Sequence, residues 1–287
     1  MVVGGVDVGA TKTLIAVSRG ARLLAVDAFP TPRLRARAAL RLLGDRIEAL
    51  RRRAGGARLA ALGIGVPAVC DPARGRVVWA PNLPGWRNVP LGRILRARFR
   101  CPVALENDAD MAALGEARWG AGRGCRDFVT LTVGTGIGGG LVVNGALARG
   151  AGDVAGAAGW MRLRGTRLED VASGPAIARA AGRADARSSF LAAASGDARA
   201  RRAVRRAGEA LGSAVADLVS ILNPAVVILG GGVMDGGARR LLPAVRDAVR
   251  RYAQPLAARR VRILASPLGN RAGVRGALEA ARRVVAG

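Results

Sequence analysis

The sequence predicts an α/β protein built as two related lobes, and three observations carry that prediction. Short Val/Ile-rich runs alternate with stretches of helical spacing. Each half opens with strand, glycine-rich hairpin and strand. Between the halves, Gly120-Ala-Gly-Arg-Gly124 breaks the pattern as a hinge would.

Taken in order, Val2 to Asp7 reads as a buried strand, with Thr13 to Val17 and Leu23 to Phe29 as the next two. Leu34 to Ala54 has helical spacing, with Leu40, Leu43, Ile47 and Leu50 on one face, and Arg51 to Arg53 suit the negative end of its dipole. Leu59 to Val66 is a strand ending at Pro67, and Val77 to Trp79 a short one before the loop Ala80-Pro-Asn-Leu-Pro-Gly-Trp86. A short helix, Leu91 to Phe99, precedes the apolar strand Pro102 to Leu105, which runs through Glu106-Asn-Asp108 into another helix.

The second half opens with a strand, Phe128 to Val133, then the glycine-rich Gly134 to Gly140 and a strand Leu141 to Val143. A loop to about Arg167 leads to a helix Pro175 to Ala181 and a long helix Ala198 to Leu222, ended by Asn223-Pro224. A strand Ala225 to Leu229, Gly230-Gly-Gly232, a helix Leu241 to Tyr252, a strand Val261 to Leu264 and a helix Val274 to Val285 complete it. The expected lobes are residues 1–119, joined by the last helix at 274–287, and residues 120–273.

The composition is that of a soluble globular protein, 51% hydrophobic and 23% charged, with so few aromatics (3%) that Ala, Val, Leu and Ile must fill the core. A net charge of +26 would ordinarily suggest a polyanion partner. Here Lys12 is the only lysine, the arginines are spread among alanines, and no basic stripe with interleaved aromatics is present, so nucleic acid is not the expected partner. With no histidine, His base catalysis and His metal ligands are excluded. Cys70, Cys101 and Cys125 are odd in number and far apart, which points to buried or incidental thiols in a reducing compartment. The opening MVVGGVDVGATKT reads as a first strand and not a signal peptide, and no apolar run is long enough to span a membrane, so the protein is expected to be cytoplasmic.

Two glycine-rich hairpins carry hydroxyls: Asp7-Val-Gly-Ala-Thr-Lys12 and Thr132-Val-Gly-Thr-Gly-Ile-Gly138. Amides exposed in such turns form anion nests, so both suit a polyphosphate, although neither is a Walker A loop or a Rossmann fingerprint. A third cluster, Gly230 to Gly232, follows a Val/Ile strand. Asp108 stands at the carboxyl end of a strand, where open α/β sheets bind ligands. From the residue types alone it is either a helix N-cap or a general base.

The segments GVDVGATKT from Gly5, LGIGVPAVCD from Leu62, APNLPGW from Ala80, LENDADMAALGE from Leu105, FVTLTVGTGIGGGLVVNG from Phe128, ASGPA from Ala172 and VVILGGGV from Val226 together resemble the ROK (repressor, open reading frame, kinase) sugar kinases. The resemblance implies an actin-like ATPase (ribonuclease H-like) fold, with a mixed sheet in each of two lobes and a cleft between them. It further implies an ATP- and magnesium-dependent hexose kinase that forms a homodimer. Gly9, Ala10, Thr11 and Lys12, with Thr132, Gly134, Thr135 and Gly136, become the phosphate loops. Asp7 lies near the magnesium, and Gly231 and Gly232 flank the adenosine. Asp108 becomes the base, with Asn107, Glu169, Ala68 and Asn82 on the sugar side. Repressors of the family carry an N-terminal helix-turn-helix, whereas here a phosphate-loop strand starts at Val2, which argues against DNA binding.

The chain also departs from the family. The usual Glu-x-Gly-His motif falls on Ala157-Ala-Gly-Trp160, and the cysteine-rich zinc segment is replaced by Met161 to Leu168, so no zinc is expected. Ala68 replaces the usual glycine after Pro67. Trp160 becomes a candidate stacking face, which leaves either a hexose held by Asn107, Asp108 and Glu169 or a different, amino or modified sugar, with a non-catalytic sugar or nucleotide sensor as the rival to a kinase.

Overall fold

The first strands are Val2–Val8 (β1), Lys12–Arg19 (β2) and Arg22–Pro30 (β3). They form an antiparallel meander because two tight polar turns separate three runs of β-prone apolar residues. Helix Ala36–Arg53 (α1) buries Leu40, Leu43, Ile47 and Leu50 on one stripe. Next come Ala61–Val66 (β4), the small antiparallel sheet Val69–Asp71 (β5), Arg76–Trp79 (β6) and Arg87–Val89 (β7), helix Leu91–Phe99 (α2), strand Val103–Asn107 (β8) and helix Asp108–Trp119 (α3).

The chain continues with Phe128–Val133 (β9), Ile137–Val143 (β10) and the short strands Ala146–Leu147 (β11), Arg162–Leu163 (β12) and Thr166–Arg167 (β13). Helices Leu168–Ala172 (α4), Gly174–Ala181 (α5), Ala186–Ala194 (α6) and Ala198–Leu222 (α7) follow. Strand Val226–Gly230 (β14), helices Gly232–Tyr252 (α8) and Pro255–Arg260 (α9), strand Arg262–Ala265 (β15) and helix Ala272–Ala286 (α10) end the fold. This computed structural model describes residues 1–286 except Arg33; Arg33 and Gly287, the last residue of the expected terminal helix range, lie outside the described residues.

The chain forms two compact units. The first comprises Met1–Trp119, Arg149–Ala155 and Arg271–Gly287, and the second Gly120–Ala148 and Gly156–Asn270. Arg149–Ala155, expected within the second lobe, therefore belongs with the first. The α/β class holds in both, each built on a mixed five-stranded sheet. The orders are β3-β2-β1-β4-β8 and β11-β10-β9-β14-β15. In each, the leading strand pairs antiparallel with its hairpin partner and parallel with the strand on its other side. The two halves of the chain thus repeat one topology.

In the first unit, α1 and α2 cover one face of the sheet and α10 the other, where Val274, Leu278 and Ala281 pack on Val3, Leu14, Ala16 and Ala61. The approach of α10 is close enough that side chains are excluded: a Cβ at Gly63 would run into the Ala277 carbonyl, and one at Gly276 into that of Met111. In the second unit α7 and α8 pack on β9 and β14 through Leu211, Val215, Val219, Leu241 and Val245.

Several expectations are corrected. Helix α8 starts at Gly232, well before Leu241; Gly236 and Gly237 hide its first turns from the apolar spacing, and Gly237 is small so that the Phe190 ring can lie against it. Strand β10 begins at Ile137, since Gly138, Gly139 and Gly140 pair with Thr132, Leu131 and Thr130 despite their low strand propensity. The expected loop up to Arg167 holds β11, β12 and β13, and α4, α6 and α9 are further short elements; α6 is announced by a capping box of Asp185 with Ser188. Among the described residues no helix is long and apolar enough to cross a membrane.

Candidate active site

In the first unit the carboxyl ends of three parallel strands bring the predicted polar residues together. Asp7 of β1 lies opposite Gly65 of β4, and Gly65 and Val66 lie opposite Glu106 and Asn107 of β8. Asp108, the first residue of α3, is half-buried beside them. The helix is capped by Asn107: its Oδ1 accepts the Ala109 amide at 2.8 Å, and its Nδ2 donates to the Ala68 carbonyl at 3.1 Å. Asp108 Oδ1 also accepts that amide, at 2.9 Å. The capping task first weighed for Asp108 is therefore largely done by its neighbour. Burial pushes the Asp108 carboxyl up to about 6, against the backbone amides of Ala109 and Asp108 itself, which pull it down.

Asp7 is pushed up further, to about 8, by burial and then by the charge of Asp108. Its carboxylate lies against the Gly273 backbone at the start of α10 and accepts no hydrogen bond from any described residue. A half-buried carboxylate without a protein donor suits a divalent cation that keeps most of its own water, as magnesium does. Among the described residues no group of three or more acidic or cysteine side chains could hold a metal by itself.

The first glycine hairpin is tied by Thr31, which the sequence did not single out: its hydroxyl donates to the Gly9 carbonyl at 2.7 Å, and its amide to that of Thr11 at 2.9 Å. Gly9 and Ala10 are half-buried, and Thr11 and Lys12 are exposed at the turn. Asn82 is exposed in the turn after β6 and makes no hydrogen bond to Asn107 or Asp108. Two more residues were not foreseen. Glu106, whose side chain is 9% exposed, is held by Arg149 from the segment that returns to this unit. Asp110, 6% exposed, is pushed up to about 7 by burial and by Glu106.

In the second unit Thr132, Gly134, Thr135 and Gly136 form the β9–β10 hairpin, with Thr135 exposed at its tip. Gly231, at φ 90°, passes so near this hairpin that a Cβ would stand 2.5 Å from the Val133 carbonyl oxygen. Gly232 opens α8, whose free N-terminal amides favour an anion. Glu169 is half-buried and makes no cap bond to α4: its Oε2 accepts the Ile137 amide at 2.9 Å. Trp160 is 62% exposed, with the Arg167 guanidinium over its ring at 4.9 Å, and Ala157 is exposed nearby in sequence.

The chain is similar to known proteins. The chain is 44% identical over 200 residues to the bifunctional enzyme NanE/NanK of Brucella melitensis, covering 67% of this chain and only 38% of that protein's length. Among solved structures, a ROK hexokinase from Thermus thermophilus matches at 36% identity and a TM-score of 0.84, over 100% of this chain and 99% of the other. A ROK family glucokinase from Streptomyces griseus, in complex with glucose and AMPPNP, matches at 32% and a TM-score of 0.84, over 99% and 100%. The ROK family profile covers residues 3–284, and the chain belongs to the ROK family.

Proposed function

We propose that this protein is an ATP-dependent hexose kinase, which transfers the γ-phosphoryl group to a primary hydroxyl of glucose or a related sugar. The observation that carries the reading is Asp108: a half-buried carboxylate raised to about 6, held by helix α3 at the strand ends, with one oxygen left for an acceptor hydroxyl. Likeness over the full length to a glucokinase solved with glucose and AMPPNP supports it.

Asp108 takes the proton of the sugar hydroxyl as its oxygen bonds to the γ-phosphorus. The bond from that phosphorus to the β,γ-bridging oxygen breaks, and ADP leaves. Asn107, fixed by its two hydrogen bonds, orients the sugar beside the base, with Ala68, Asn82, Glu169 and Trp160 on the sugar side. The amides of Gly9 to Lys12 and of Gly134 to Gly136, with the Thr11, Thr132 and Thr135 hydroxyls, take the phosphates. Gly231 and Gly232 flank the adenosine. Asp7 would hold magnesium through water, and the ion would supply neutralisation of the phosphate charge. No zinc ligand set is assigned, and a homodimer in the cytoplasm is the expected setting.

The exposed Trp160, with Ala157 in place of an acidic side chain, favours a second reading of the acceptor alone, in which an amino or otherwise modified sugar stacks on the indole. The test is a coupled ADP-release assay with magnesium-ATP across hexoses and amino sugars. Turnover on at least one sugar is expected, with Asp108→Asn lowering kcat by about 10²–10⁴. Silence across the panel, or full activity in the variant, defeats the proposal.

A further inference from the structure

The resemblance gives Glu169 to the sugar, yet the structure ties the same carboxylate to the phosphate hairpin. Oε2 accepts the Ile137 amide at 2.9 Å, and a Cβ at Gly136 would stand 2.5 Å from that oxygen, so the carboxylate is pressed on the hairpin backbone. Oε1 accepts no hydrogen bond from any described residue. The other limb of the hairpin is held from the same piece of chain: the Gly174 amide donates to the Gly134 carbonyl at 2.8 Å. Glu169 and Gly174 are joined by the single turn of α4, where the Ser173 amide donates to the Glu169 carbonyl at 3.2 Å. The tip Gly134-Thr135-Gly136 therefore hangs between two contacts supplied by the consecutive helices α4 and α5.

We propose that Glu169 is a positioning residue that couples sugar occupancy to nucleotide affinity: Oε2 holds the hairpin, and Oε1 takes a sugar hydroxyl. The sugar contact rests on the hexose kinase reading; the hairpin contact does not. A hydroxyl donated to Oε1 fixes the carboxyl plane about its last bond, which keeps Oε2 on the Ile137 amide and the hairpin amides in the arrangement that receives phosphate. The ordering cost is then met once for both ligands, and by linkage each ligand raises the affinity of the other by the same factor.

The test is calorimetric titration of the full chain with magnesium and AMPPNP, with and without saturating glucose, alongside glucose turnover of the unmutated protein. Glucose is expected to tighten AMPPNP binding at least about fivefold. Glu169→Ala loses both contacts, so AMPPNP binding without sugar weakens about five- to tenfold and the glucose effect falls to nothing. In Glu169→Gln the amide oxygen still accepts from Ile137 while the NH₂ group cannot accept a sugar hydroxyl. It therefore keeps AMPPNP affinity within about twofold without sugar and loses most of the glucose effect. Glu169→Asp, too short to reach, follows the Ala variant and replaces it if that variant does not fold. An unmutated protein that turns over glucose but binds AMPPNP equally with and without it overturns the coupling and leaves the kinase reading intact. If the Ala and Asp variants bind AMPPNP like the unmutated protein, the hairpin anchor is overturned, whatever the sugar. If no hexose is turned over, the kinase reading falls and the coupling with it.

Discussion

Burial raises the Asp108 carboxyl to about 6, which suits the base of the proposed kinase mechanism near neutrality. Its carboxyl is raised, so the ionised fraction grows as pH rises through about 6, and the base is available above that value. The chain has no histidine, so kcat/KM should climb about tenfold per pH unit below 6, with Asp110 and Asp7, raised to about 7 and 8, the carboxyls that extend the rise above it. A pH-rate profile checks this, and a profile without the acid limb would remove Asp108 from the role. The polar interruption Glu106-Asn-Asp108 after an apolar strand made this site legible, but not the division of labour within it. Which of two adjacent polar residues caps α3 depends on backbone direction at the end of β8, and that is set by pairing with β4, a long-range contact. Glu169 was legible as a candidate sugar contact through resemblance alone; its hydrogen bond to Ile137 spans 32 residues, and no local pattern announces it.

Among the elements, the segment Arg149–Ala155 shows how a stretch without regular strand or α-helix can belong to a distant sheet. Its attachment is the Arg149–Glu106 pair, with side chains 40% and 9% exposed. Removing the arginine leaves a nearly buried carboxylate alone. For fully buried pairs such a loss costs about 3–5 kcal/mol, and the exposure of Arg149 brings the expectation for Arg149→Ala down to about 2 kcal/mol. Urea denaturation should show that loss, and adding Glu106→Gln should recover more than half of it; a double variant no better than the single would sink this account. Arg149 was unreadable in advance because the chain is full of arginines and only the fold selects this one. Long helices such as α7 and strands such as β9 were legible from apolar period alone. The first turns of α8 were not, because Gly236 and Gly237 serve close packing at the expense of the periodic signal.

For the whole molecule, the same carboxyls set an unusual pH dependence of stability. Asp7, Asp108 and Asp110 are raised to about 8, 6 and 7, above an unfolded value of about 3.9. The folded state then binds more protons than the unfolded state between about pH 4 and 8, so stability falls as pH rises across that window. Glu48, lowered to about 2 by its hydrogen bond to Arg51, acts in the opposite sense only below that window. The free protein should therefore melt several degrees higher at pH 5 than at pH 8, and Asp110→Asn should flatten part of the difference. A Tm that rises from pH 5 to 8 would contradict the buried-carboxyl account. The two-unit α/β class was legible from the paired openings at Asp7 and Thr132. The membership of Arg149–Ala155 was not, since it follows from tertiary contacts made after the chain has already entered the second unit.

The position of α10 bears on the order in which the molecule can be made. Its backbone fits against Gly63, Met111 and Asp7, so the strand carrying Asp7 leaves the ribosome well before the residues beyond 270 that cover it. The second unit contains no residue after Asn270. The half of the protein translated later can therefore be the first to finish, while the earlier half, with its acidic residues gathered at the strand ends, waits for the closing helix.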